Sequence, residues 1–150
     1  MKRAVTPFLL VLALAVVAMV VRPVLKELPA GEELSAGDTA WMLTAAGLVL
    51  LMTPGLSFFY GGMVSFKNVV STMLQSIIAM AVISLLWVFV GFGLAFGEDI
   101  GGIIGNPLTF FMFDNVSEKT ATLGQGDATM KLTVPLLVFS MFQLKFAIIT

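Results

Sequence analysis

The chain has 150 residues, of which 59% are hydrophobic and 11% charged, with a formal net charge of −1 and neither cysteine nor histidine. A soluble domain is about 45–50% apolar and about 25% charged, so this composition excludes an ordinary soluble protein and, lacking a basic block, a nucleic-acid binder. Without cysteine the chain has no disulfide or thiolate metal site, and without histidine it lacks the side chain that most readily relays protons near neutral pH.

Met1-Lys2-Arg3 is a short basic start, and Ala4 to Val21 is apolar apart from Thr6 and Pro7. Residues 1–22 read as a signal peptide or as an uncleaved membrane helix. Val16-Val17-Ala18 fits the small-residue cleavage rule, while the run is just long enough to span at ~20 residues. Either way Lys2 and Arg3 stay cytoplasmic. Residues 23–38 form a polar outer connector rich in Glu, Pro and Gly, ending in Asp38-Thr39, an expected helix N-cap.

Residues 39–60 are expected to form the next span, ~33 Å long at 1.5 Å per residue. Trp41 stands at its start, where interfacial aromatics gather. Pro54 lies deep inside and predicts a kink or an unwound turn. Gly61-Gly62 is expected to make the turn into a tight connector that ends at Asn68, with Lys67 as its charge. Residues 69–96 form the third segment, with Trp87 too deep for an interfacial belt and therefore assigned to packing. Asn68, Ser71, Thr72 and Gln75 make a polar stripe, read as interhelical hydrogen bonding in preference to a transport surface. Gly93 and Gly97 make a small-xxx-small pair, which predicts close helix packing.

Residues 98–131 form a long connector, in which Thr109-Phe110-Phe111-Met112-Phe113 is expected to lie as a half-buried cap on the outer surface. Residues 132–150 are the last apolar segment. Placing Lys2, Arg3 and Lys67 inside and both long connectors outside satisfies the positive-inside rule. The Pro54–Gly62 stretch then lies at the cytoplasmic end of its helix.

No catalytic constellation appears: every carboxylate lies in a connector, and no glycine-rich phosphate loop precedes a helix. The chain is therefore read as a non-enzyme. Phe142 and Phe146 are four apart and share a helix face, with Gln143 beside them. Such a pair is either packing or a ring pair that excludes water and holds a cation by its faces. Lys145 falls near mid-bilayer, where an ionisable residue costs ~2.5–3.5 kcal/mol on insertion scales.

The run from Asp38-Thr39-Ala40-Trp41 through Thr53-Pro54-Gly55-Leu56-Ser57-Phe58-Phe59-Tyr60-Gly61-Gly62, with Lys67-Asn68-Val69, resembles the ammonium transporter family (Amt/Mep/Rh). Leu94-Ala95-Phe96-Gly97 and Phe142-Gln143-Leu144-Lys145-Phe146-Ala147 look like its next landmarks, in the right order. The likeness covers residues 38–150, which it makes an incomplete transporter domain. It implies an all-α integral membrane protein: an N-terminal signal or helix, then the first three helices of an eleven-helix fold. It also implies a homotrimer in the cell membrane, multi-pass, with ammonium or ammonia as substrate, a PII-type regulatory protein at the cytoplasmic face, and no cofactor.

By the same resemblance Phe146 matches one of two stacked gate phenylalanines and Phe142 a neighbouring pore-side aromatic. Leu56, Phe59 and Tyr60 match apolar lining at the cytoplasmic end, and Gln143 joins the lining. The family's two pore histidines and its second gate phenylalanine fall outside the matched part. Lys145 stands where the family has a small or apolar residue. Both departures predict a truncated or partial reading frame that does not conduct alone. An alternative is the membrane part of an ammonium sensor with a C-terminal signalling domain. An intramembrane enzyme is disfavoured by the absence of His, Cys and a spanning acid.

Overall fold

The computed structural model describes residues 28–124 and 129–150, and Ala13 before them. The reading of residues 1–22 therefore lies outside the described residues. Helix α1 spans Ala36–Met63. A 3-10 turn at Phe66–Asn68 leads into α2, Val69–Leu86, which continues through a π-helical segment at Trp87–Gly91 into α3, Phe92–Phe96. After the return segment comes α4, Leu136–Ile149.

Two helical runs, Ala36–Met63 and Phe66–Phe96, are long and apolar enough to cross a membrane. At 28 and 31 residues they measure ~42 and ~46 Å, more than the ~30 Å hydrocarbon core. Only 17% of the most apolar stretch of each is buried. The core helix of a soluble protein would be mostly covered, so these faces need lipid or further protein against them.

Helix α1 begins three residues earlier than expected. Its N-cap is Ser35, whose Oγ accepts from the Asp38 N–H at 3.2 Å. Asp38 instead occupies the first turn, where a carboxylate favours the helix dipole. Nor does α1 break at Pro54. The ring removes one hydrogen bond, but Thr53 and Ser57 on either side are buried, and Ser57 Oγ donates to the Met73 carbonyl at 3.2 Å. Packing against α2 holds the helix through the lesion, as neighbouring protein does for prolines in other spans.

Gly61-Gly62 does not make the turn either, since α1 runs on to Met63. Gly61 serves the crossing: a Cβ there would stand 3.1 Å from Met73 Cγ and 3.6 Å from a Val69 methyl. The Gly93/Gly97 pair also packs closely, but against the return segment and not another helix. A Cβ at Gly93 would sit 2.6 Å from the Pro107 carbonyl oxygen, and one at Gly97 would collide with that of Asn106.

The long connector is not all-α. Asp99–Ile100 (β1) pairs antiparallel with Ile104–Gly105 (β2), turning at Gly101 and Gly102, both at positive φ. Asp99 Oδ2 accepts from the Gly102 N–H at 2.7 Å. Thr122–Leu123 (β3) pairs with Met130–Lys131 (β4). Between the two pairs, Pro107–Phe113 forms 3-10 turns broken by non-helical geometry at Phe110, Phe111 and Met112. That break turns Phe110 inward to 1% exposure, while Thr109, Phe111 and Phe113 stay half-buried and Met112 exposed, so the run is half-buried as expected but sends one ring into the core. Phe110 lies 4.8 Å from Phe92, which also meets Trp87, Phe96 and Phe113 at 5.3–5.8 Å.

The two long connectors, separate in the sequence, form one clasp. Thr122 N–H donates to the Pro29 carbonyl, Gly31 N–H to Thr120, Glu32 N–H to Leu132 and Ser35 N–H to Thr133. Thr120 and Thr122 hydroxyls donate to the Glu32 and Ala30 carbonyls at 2.8 Å. Gly31 is required at the centre, because a Cβ would meet the Leu132 oxygen at 2.6 Å and the Ala121 nitrogen at 2.8 Å. The clasp also starts α4. Its Leu136 and Leu137 N–H groups, which have no partner within the helix, donate to the carbonyls of Lys119 and Ser117.

Candidate functional site

The clasp fixes the relation between α1 and α4. Ser35 N–H donates to the Thr133 carbonyl, and Thr133 Oγ1 donates to Asp38 Oδ2, so the two helices start side by side. They then run in the same direction, α1 packing more extensively on α4 than on α2. This parallel start sets the depth of each candidate residue.

Phe142 and Phe146 lie on the second and third turns of α4, ~9 and ~15 Å from its start. Their ring centroids are 5.1 Å apart at an interplanar angle of 73°. This edge-to-face arrangement is a favoured one for aromatic pairs. The buried face of α4 carries Leu136, Phe139, Ser140 and Leu144. At 100° per residue the ring pair lies roughly 95–135° round from the centre of that face. Phe142 is half-buried and Phe146 is 42% exposed. Gln143 lies within the buried arc and is half-buried, with no hydrogen bond to another described residue. The rings thus form the flank of α4 that α1 and α2 leave uncovered.

The second group sits at the other end of α1. Leu56, Phe59 and Tyr60 are ~30–36 Å along α1, so ~15–25 Å deeper than the ring pair. Leu56 is half-buried, whereas Phe59 and Tyr60 are 61% and 50% exposed. Their rings are 5.7 Å apart at 64°. Tyr60 also borders a cleft of about 570 Å³ between the end of α1 and the start of α2, with Met63, Val64, Thr72, Gln75 and Ser76. None of Asn68, Ser71, Thr72 and Gln75 hydrogen-bonds through its side chain to another described residue; Thr72 and Gln75 line the cleft. The α1–α2 bond comes from Ser57 instead.

Two polar contacts escaped the sequence reading. Trp87 Nε1–H donates to Ser140 Oγ at 3.3 Å, and the two residues are 9% and 0% exposed. A tryptophan deep in a span signals such a bond, because its N–H needs an acceptor away from water. The acceptor, 53 residues on, could not be read from spacing. The Thr133–Asp38 bond likewise joins residues 95 apart.

Charge divides the molecule along its length. The clasp end carries Glu32, Glu33, Asp38, Glu98, Asp99, Asp114 and Glu118 against Lys119 and Lys131, while Lys67 marks the opposite end. Lys145 lies between them on α4, roughly 165° from the centre of the buried face. It is half-buried.

Comparison with known proteins gives this geometry its context. Residues 40–150 match the model of the Ammonium Transporter Family. An ammonium transporter of Mycobacterium tuberculosis (strain ATCC 25618 / H37Rv) is 47% identical over 121 residues, covering 76% of this chain and 25% of that protein. An ammonium transporter of Aquifex aeolicus (strain VF5) is 43% identical over 119 residues, 79% of this chain and 26% of the relative. Ammonium transporter Amt1 of Archaeoglobus fulgidus is 38% identical over 117 residues, 78% and 26% of the respective chains. The chain spans about a quarter of the length of the curated relatives it matches. With a match over most of its residues, and with helices that fit a membrane, the chain belongs to the Ammonium Transporter Family.

Proposed function

We propose that this chain contributes the first three helices of a channel-like ammonium transporter in the cell membrane. On this reading Phe142 and Phe146 form part of the outer gate, and Gln143, Leu56, Phe59 and Tyr60 line the path below. The observation that carries it is the edge-to-face ring pair on the uncovered flank of α4, in a chain matched to the family from 40 to 150. A cation meeting such ring faces is attracted by the quadrupole, and more strongly once water is excluded. The ~15–25 Å between the two aromatic groups leaves room for a narrow path from one to the other.

The full fold on this reading has eleven helices and assembles as a trimer, with a PII-type regulator docking at the Lys67 end. These features rest on the family resemblance.

The three helices alone do not conduct. Phe146, Phe59 and Tyr60 are 42%, 61% and 50% exposed, so further protein has to cover them before they bound a closed path. The test is saturable methylammonium uptake in transporter-deficient cells that express residues 1–150 only. Uptake at background is expected; clear saturable uptake would refute this part. Uptake that is absent even when the protein is expressed from its own locus would refute the transport reading as a whole.

A further inference from the structure

We infer that the Trp87–Ser140 hydrogen bond is the positioning contact that sets the rotation of α4, and with it the orientation of the Phe142–Phe146 pair. The inference rests on the gate reading for its consequence, but its geometry stands apart from it.

The start of α4 is tied to the clasp through Leu136 and Leu137 N–H. Beyond that first turn its fully buried residues are Phe139, Ser140 and Leu144, of which only Ser140 is polar; Gln143 beside them is half-buried and bonds no other described residue. Apolar contacts have no direction and permit a helix to roll. Among the described residues, Trp87–Ser140 is the one side-chain hydrogen bond from the body of α4 to another helix. Ser140 is two residues before Phe142 and six before Phe146, so a rigid helix turns the rings by whatever angle Ser140 turns.

The donor is itself held in place. In an α-helix, residues five apart point about 140° from one another. The wider π turn at Trp87–Gly91, with Phe92 N–H donating to the Trp87 carbonyl, brings i and i+5 closer to line. It seats the Trp87 ring 5.8 Å from Phe92, whose own ring is fixed by Phe96, Phe110 and Phe113. Gly91 leaves room for the indole, since a Cβ there would stand 3.1 Å from Trp87 Cε3. A π turn therefore presents a fixed N–H to a helix whose other buried contacts beyond the first turn are apolar and carry no direction of their own. Trp87 and Ser140 touch no substrate on this reading; they act through the rings.

The chain has no cysteine, so a single introduced thiol reports rotation. Leu144→Cys places it on the buried face and Met141→Cys on the exposed side. The ratio of their maleimide labelling rates in membranes is the readout. Trp87→Phe removes the donor and keeps a ring; Ser140→Ala removes the acceptor; Ser140→Thr keeps the hydroxyl. The ratio should rise about fivefold in the first two, the weight of one ordinary hydrogen bond. The double variant should match the singles, and Ser140→Thr should stay near the parent. A simple loss of packing would track side-chain volume and not the presence of donor and acceptor. Equal ratios in all backgrounds would overturn the proposal.

The second arm measures ammonium-over-methylammonium selectivity in the protein expressed from its own locus. It should change in Trp87→Phe and Ser140→Ala and be restored in Ser140→Thr. Changed labelling with unchanged selectivity would overturn the link from the bond to the rings. Absence of saturable uptake in the parent would overturn the transport reading, and the labelling arm would then decide this inference by itself.

Discussion

Replacing Lys145 by Leu should make the last helix insert far more readily. Lys145 is nine residues after Leu136, hence ~14 Å along α4, close to the middle of a ~30 Å core. It lies almost opposite the buried face and has no ion pair with a described residue, so nothing in the three helices offsets its charge. A lysine at the helix centre costs ~2.5–3.5 kcal/mol on insertion scales. Leucine there contributes about −0.3 to −0.6 kcal/mol. Half-burial and snorkelling reduce the difference, leaving about 3 kcal/mol, roughly a hundredfold in the insertion equilibrium. The assay places glycosylation acceptors on both sides of residues 132–150 and scores insertion in microsomes. Lys145→Leu and Lys145→Met should shift the ratio strongly toward insertion, and Lys145→Arg should leave it near the parent. Equal insertion with Lys and Leu would refute the reasoning and mean that the charge is neutralised in place.

Gly31→Ala should lower thermal stability in detergent by ~1–3 kcal/mol, because the new Cβ meets backbone atoms of Leu132 and Ala121 that cannot turn aside. Phe110→Ala, which empties the centre of the ring cluster, should cost ~3–5 kcal/mol by the same measurement. Ser35→Ala removes the side-chain cap of α1 and should cost ~0.5–2 kcal/mol, read from the unfolding midpoint. Amide hydrogen exchange should be slowest in α3 and the first turns of α4 and faster around Gly62–Val69; uniform protection would contradict the packing described here.

What was legible in the sequence is what depends on composition along one stretch. Residues 69–96 read as a single apolar helical run because no breaker interrupts them, and the buried state of Trp87 followed from its depth. What was not legible depends on partners far away in the chain. Pro54 was expected to kink or unwind its helix, but α1 stays helical through it, with Thr53 and Ser57 buried on either side and Ser57 bonded to α2. Gly61 and Gly97 looked like a turn and a helix-packing residue. Their neighbours are Met73 and Asn106, which no local rule names. The clasp was invisible for a plainer reason. Most of its bonds run between backbone groups of residues 29–35 and 120–133, and a backbone hydrogen bond leaves almost no mark on side-chain choice. Only Gly31, with no room for a Cβ, and the threonines that reinforce it carry a trace.

The same packing explains why the two aromatic groups differ in character. The buried cluster of Trp87, Phe92, Phe110, Leu132, Leu136, Phe139 and Leu144 gathers around α3, the return segment and the first three turns of α4. The ring pair Phe142–Phe146 stands on the helix that this cluster grips, so it is held from one side by a dense core. Leu56, Phe59 and Tyr60 have no such backing. Around them α1 and α2 touch through Gly61 against Met73 and the Ser57 bond, and the helices then part around the cleft beside Tyr60. A constriction that must discriminate needs fixed groups, because a loosely held ring gives up the differential contact on which selectivity rests. On the proposed gate reading, the firm end of this three-helix unit is the end suited to selection. The end at Tyr60, with half or more of its aromatic surface uncovered, acquires its shape from whatever protein packs against it.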